Sequence, residues 1–323
     1  MSEESALDSS SLQKPAREVF ANYRDLTLPE RSTEFGRIPW WLWPNLLSLD
    51  APLVAVLWTI FLGKIFLSKI DPVSILILFA STWSVYSTDR LLDGFSCVES
   101  RKLRRRHFFA SAHRLSLGLL TVLAGIAVPA LSLTFLPKRQ VGIGLVLFLF
   151  VVAYLVAIHV ASENIRTSLP KELLVGTLFA AGTGWPLYCT LHHLAFFPML
   201  VLFAYLCSLN CLAIERWETE DKANCSSLRP PSGRAGLQRQ LKAGAILLAL
   251  VAITAFLVRK AGVGPGVGFL AIGCAAILLA EVNINRNHFS AEQLRVLADV
   301  VLAVPAVAGI LLLAGGHSWW GAR

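Results

Sequence analysis

The sequence predicts an all-α, polytopic transmembrane helical bundle of about nine spans, on three observations. Apolar runs close to the roughly 20 residues needed to cross hydrocarbon recur along the chain. Only 15% of its 323 residues are charged and 55% are hydrophobic, whereas a soluble domain carries roughly 25% charged residues. Lys and Arg gather in a few short loops between the runs, as insertion topology requires. The formal net charge of +8 is therefore a topology signal before it is a nucleic-acid surface, and no nucleic-acid partner is expected.

Residues 1–45 form a polar segment expected on the cytoplasmic side. Its first 33 residues carry Glu3, Glu4 and Asp8 and lack the short apolar core of a secretory signal. Trp40, Trp41 and Trp43 then suit the membrane interface. The membrane domain, 46–314, holds runs at 47–67, 72–88, 115–136, 141–161, 173–190, 194–214, 241–258, 267–282 and 294–313. The second, fifth and eighth are short or hold Gly, Ser and Thr, residues that suit contacts between helices. Residues 315–323 form a short tail in which Trp319 and Trp320 provide a second interfacial anchor.

Sorting basic residues onto alternate sides gives a lopsided result. One side collects Arg17, Arg24, Arg31, Arg37, the cluster Arg101 to Arg106, Arg166, Lys171, Arg216, Arg286 and Arg295, while the other keeps few beyond Lys64, Lys69, Lys138, Arg139, Arg259 and Lys260. The rule that retained loops are basic places the amino terminus and the first side in the cytoplasm, and an odd span count places the carboxyl terminus opposite. The six cysteines are scattered and form no CxxC pair, so they read as small packing residues.

Two motifs carry chemistry. The second run ends in Val85-Tyr-Ser-Thr-Asp89-Arg-Leu-Leu-Asp93, which puts two carboxylates on one helix face about 6 Å apart along the axis. Magnesium would relieve their repulsion, because it takes one or two carboxylates and completes its octahedron with water and phosphate oxygens. The plain alternative is an ordinary helix end, with Asp89 and Asp93 solvated or paired to Arg90. The sixth run ends in Asn210-Cys-Leu-Ala-Ile-Glu215-Arg-Trp-Glu218-Thr-Glu220-Asp221, an echo of the first. Glu215 and Glu218 share a face that Asp221 continues.

Long loops, 90–114 and 215–240, follow the two motifs on the basic side. Arg101 and Arg105 lie in the first, and guanidinium forks suit phosphate oxygens; topology and anionic lipid also account for such clusters. Arg166 and Lys171 are isolated cations beside the small-residue fifth run. Asp50 and Asp299 stand at or inside spans, where ionisable groups face the bundle interior: each lines a polar cavity or pairs with a neighbouring helix. His159 reads as a hydrogen-bonding residue of the bundle, and Tyr154 and Trp185 as aromatic faces able to meet a cation.

Nine spans with acidic motifs at the cytoplasmic ends of the second and sixth, each followed by basic residues, resemble the UbiA-type intramembrane prenyltransferases over about 47–313. Asp89, Arg90 and Asp93 match that family's first motif in spacing, with Val85 where the family has Asn. Glu215, Glu218 and Asp221 stand where its second motif has aspartates. The resemblance implies a UbiA-like fold and a magnesium-dependent transfer of a prenyl group from an isoprenyl diphosphate to a lipophilic acceptor, for example an aromatic one. It makes Asp89, Asp93, Glu215 and Glu218 catalytic, the same four with Asp221 the metal ligands, and Arg90, Arg101, Arg105, Arg166 and Lys171 the diphosphate contacts. The other reading is a non-catalytic or transport-like membrane protein on the same bundle. A phosphatidyl-alcohol transferase would need more than Asp93-Gly94 of its signature, and nothing further continues it.

Overall fold

The computed structural model describes residues 38–96, 109, 112–159, 170–191, 193–226, 244–246, 248–252 and 263–320, without the side chains of 93–96, 222–226, 263 and 315–320. The chain divides into two compact units, Met1–Trp43 and Pro44–Arg323. In the first, the described residues form a 3₁₀ turn, Trp40–Leu42. The second is the helical bundle.

Eight helices of fourteen residues or more are described: α1 (Asp50–Ile65), α2 (Pro72–Ser96), α3 (Arg114–Phe135), α4 (Lys138–His159), α5 (Lys171–Gly184), α6 (Phe196–Ser226), α7 (Val263–Ile284) and α8 (Ala291–Trp320). Residues 244–246 and 248–252 are also helical, and no described residue is in a strand. Among the described residues, five segments are long and apolar enough to cross a membrane: Arg114–Phe135, Lys138–His159, Phe196–Asp221, Gly264–Ile284 and Ala291–Ala314. The chain is an all-helical, multi-pass membrane protein.

The runs at 47–67, 72–88 and 173–190 fall short for local reasons, and the run at 241–258 lies in part outside the described residues. Ser48 takes a left-handed φ of 58°, so the run at 47–67 becomes helical only at Asp50. At 173–190 the helix stops at Gly184 and tightens into the 3₁₀ turn Trp185–Leu187, because Pro186 supplies no N–H to continue an α-helix. In α2 hydroxyl residues dilute the apolar run, and Ser81 and Ser84 turn their Oγ back to the carbonyls of Ile77 and Ala80 at 2.6 and 2.8 Å, satisfying polar groups inside the helix.

The helix starts follow local chemistry as well. Pro72 opens α2, and Asp71 Oδ1 accepts the amide of Val73 at 3.1 Å, placing a carboxylate on the positive end of the helix dipole. Pro137 and Pro170 stand immediately before α4 and α5.

The packed core lies among α1, α5, α6, α7 and α8. Trp58 stacks on Phe203 with ring centroids 4.2 Å apart and donates to the carbonyl of Leu302 at 2.9 Å. Thr59 reaches across to the carbonyl of Thr183 at 2.8 Å. α5 and α6 approach closely at Gly176, where a Cβ would stand 2.5 Å from the amide nitrogen of Ser208 and 2.7 Å from the carbonyl oxygen of Ala204. Here a small residue lets two backbones meet.

α3 and α4 are the opposite. α3 buries no residue and α4 buries Gln140 alone, while Leu115, Leu133 and Phe150 stand exposed. Each packs along one side, Val128 and Leu131 of α3 and Ile143 and Leu147 of α4 against the cluster of Ile77, Leu136 and Trp185, and leaves the rest of its apolar surface to lipid. Polar side chains tie α4 to α2 near both ends: Gln140 Nε2 donates to Ser74 Oγ at 3.0 Å, and His159 Nε2 lies 3.2 Å from Asp89 Oδ1.

Candidate functional site

Both acidic motifs sit inside helices that continue past them, which corrects the loop boundaries read from sequence. α2 runs about two turns beyond Asp89 and α6 about three beyond Glu215. The carboxylates are therefore carried on rigid helix rather than at the start of a loop.

At the α2 motif, Asp89 is 43% exposed and faces His159, which is 12% exposed. Arg90 turns the other way. Its Nη2 lies 3.4 Å from Asp50 Oδ2 and its Nη1 donates to the carbonyl of Asn45, with the residue buried. Asn45 Nδ2 also donates to Asp50 Oδ2 at 2.7 Å. Asp50 thus pairs with a neighbouring helix, one of the two outcomes its sequence context allowed, and Arg90 engages Asp50 rather than Asp89. Phe61, eleven residues into α1, meets Gly309, eighteen residues into α8, an offset of about 10 Å along the axes. The start of α1 is accordingly recessed from the start of α8.

At the α6 motif the carboxylates fan out to different helices. Glu215 Oε1 accepts Lys171 Nζ of α5 at 2.5 Å, and Glu218 accepts Arg295 of α8. Glu220 Oε1 accepts Nε and Nη2 of Arg216 at 2.9 and 2.7 Å, and its Oε2 accepts Nε of Arg286 at 2.9 Å. Arg286 Nη1 also caps the carbonyl of Asn283, whose side chain takes the indole N–H of Trp217 at 3.1 Å. Asp221 is exposed. Beside Glu215, burial first and then a hydrogen bond with Glu215 push the carboxyl of Glu172 up to about 7, against its own backbone hydrogen bond and the nearby Lys171.

The described portion of the expected site is thus Asp89, Arg90, Lys171, Glu215, Glu218 and Asp221. The side chain of Asp93, and Arg101, Arg105 and Arg166, lie outside the described residues. Sequence reasoning passed over Glu172, Glu220 and Asn45, and gave Arg286 and Arg295 to topology alone. Only the Arg216–Glu220 pair, four apart on one helix, had a local signal.

The donor set offers partial fit for magnesium. Asp89 and Glu215, at 43% and 41% exposure, are reachable carboxylates, while Glu218, at 18%, is closed by Arg295. Among the described residues no three His, Cys, Asp or Glu side chains form a ready metal cage; magnesium, which keeps water and takes substrate oxygens, needs only one or two. No family model, curated protein or solved structure matches this chain, so any assignment of function rests on the residues at this end of the bundle.

Proposed function

We propose that the chain is a membrane-embedded transferase that moves a prenyl group from an isoprenyl diphosphate to a lipophilic acceptor with magnesium. The observation that carries this reading is the pair of half-exposed carboxylates, Asp89 and Glu215. They stand on extensions of α2 and α6, each in contact with a group from another helix, His159 and Lys171. Asp89 and Glu215, with Asp93 and Asp221, would hold magnesium, which supplies charge neutralisation as diphosphate departs; Glu218, closed by Arg295, would not. Lys171, 45% exposed, is the most accessible of the cations paired at the α6 motif and would meet a diphosphate oxygen. Arg90 then acts by holding α2 against the start of α1 through Asp50, not by touching diphosphate.

The same reading takes the bundle as UbiA-like with nine passages and its charged end in the cytoplasm. α6 and α7 meet at their C-terminal ends through Trp217 and Asn283, and through Glu220 and Arg286. The chain between them must cross back, and Leu248, Ala249 and Ala252 of the helical stretch between are buried.

A second reading, a non-catalytic membrane protein, is favoured by the pairing of Glu218 with Arg295 and Glu220 with two arginines. These pairs serve the bundle without any ligand. One experiment separates the two: membranes are incubated with labelled prenyl diphosphates and candidate lipophilic acceptors, with and without magnesium. The transferase reading expects magnesium-dependent product that Asp89→Ala loses. Product that is indifferent to magnesium and to Asp89, or no product with any acceptor, favours the second.

A further inference from the structure

We propose that Arg216 and Arg286 form a binding site for one phosphate-type oxyanion at the shared end of α6 and α7. Two independent observations carry it. The first is convergence: two guanidinium groups meet on the single carboxylate of Glu220, at 2.7 to 2.9 Å. The second is an unspent donor. Arg216 is 4% exposed, and its Nη1 is buried with no hydrogen-bond partner.

A guanidinium offers five N–H donors and accepts nothing. A buried donor of this kind is costly to leave unmade, most of all on a charged group. An oxyanion meets both needs at once, since its oxygens take guanidinium donors in parallel pairs. Arg286 is already oriented for this, its Nη1 fixed on the carbonyl of Asn283 at 3.0 Å.

The anion approaches from the side on which Arg286 and Glu220 keep 17% and 22% side-chain exposure. Glu220 occupies the place between the guanidiniums and competes with the incoming anion. Two sources share this chemistry: a free diphosphate, and the headgroup of an anionic lipid at the interface. The site needs neither magnesium nor the α2 motif, so its test is independent of the transferase reading.

The full chain is placed in phosphatidylcholine nanodiscs without magnesium, and thermal unfolding is followed by tryptophan fluorescence. One arm titrates inorganic pyrophosphate; the other replaces part of the lipid with phosphatidylglycerol. A ligand that binds the folded state raises its unfolding temperature saturably. Wild type is expected to respond in at least one arm, pyrophosphate marking a free diphosphate and phosphatidylglycerol a headgroup. Arg216→Gln should weaken the response about tenfold, the worth of one charge-assisted hydrogen bond. Arg286→Gln should do the same while leaving the Arg216–Glu220 pair in place, which guards against a folding defect in the first variant. Glu220→Gln should tighten binding, and Arg139→Gln, one charge removed elsewhere, should leave it unchanged. No response in either arm, or equal responses in wild type, Arg216→Gln and Arg286→Gln, overturns the proposal.

Discussion

The ends of α2 and α6 look alike in sequence, an acid followed by Arg, a bulky apolar residue and further acids, yet they neutralise charge in different ways. In α2 the arginine goes inward. Arg90 is buried on Asp50 and on the carbonyl of Asn45, leaving Asp89 half exposed beside His159. In α6 the arginine stays on its own helix, on Glu220, and cations from α5, from the turn after α7 and from α8 come to the acids. The same local pattern thus makes one end a buried anchor with an open carboxylate. The other becomes a junction of four helices.

The comparison can be broken first at Arg90. Arg90→Ala leaves Asp50 buried without its guanidinium, and removing one partner of a buried pair costs about 3–5 kcal/mol. Thermal denaturation in detergent should show the largest loss here, and Arg90→Lys should recover little of it, because one ammonium cannot replace a guanidinium fork. A loss under about 1 kcal/mol would mean that the α2 end is no anchor; that is the usual worth of an exposed pair.

The open carboxylates sharpen the contrast next. If Asp89 and Glu215 hold metal, Asp89→Ala and Glu215→Ala should each lower magnesium-dependent prenyl transfer by about 100-fold or more, the scale of losing one electrostatic stabiliser. Their unfolding temperatures should stay near that of wild type. Arg295→Ala, measured in the same detergent, should cost about 1–2 kcal/mol, since Glu218 is partly solvated and its loss of a partner is less severe. His159→Asn should change stability by no more than about 1 kcal/mol, as expected of a pair with one exposed member.

Glu172 gives the α6 end a pH signature. A carboxyl raised from 4.5 to about 7 on folding holds its proton more tightly in the folded chain. Its contribution to stability is complete below pH 4.5 and is lost as pH rises through 7. Unfolding temperature in detergent should therefore fall between pH 5 and 7, and Glu172→Gln should flatten that fall. An unchanged slope in the variant would remove Glu172 as its source.

Much of this architecture is visible in the sequence because lipid imposes a simple code. α3 and α4 coincide with long apolar runs, since most of their surface meets hydrocarbon rather than protein. The shorter α1 and α5 were overestimated, because the φ of Ser48 and the turn at Pro186 interrupt runs that remain apolar. His159 was legible as a hydrogen-bonding residue, but its partner Asp89 was not, being 70 residues away. Arg90 shows the limit most clearly. Its inward turn depends on the level at which α1 begins, and that level is set by packing between α1 and α8 rather than by any residue near Arg90.

The recess of α1 has a consequence for how the protein meets its membrane. α1 and α5, of 16 and 14 residues, are only about 24 and 21 Å long, against a hydrocarbon slab of about 30 Å. Asn45, Leu46 and Ser48, all buried, lead into the α1 start, so the mismatch there is taken up by protein rather than by a thinning of the surrounding bilayer.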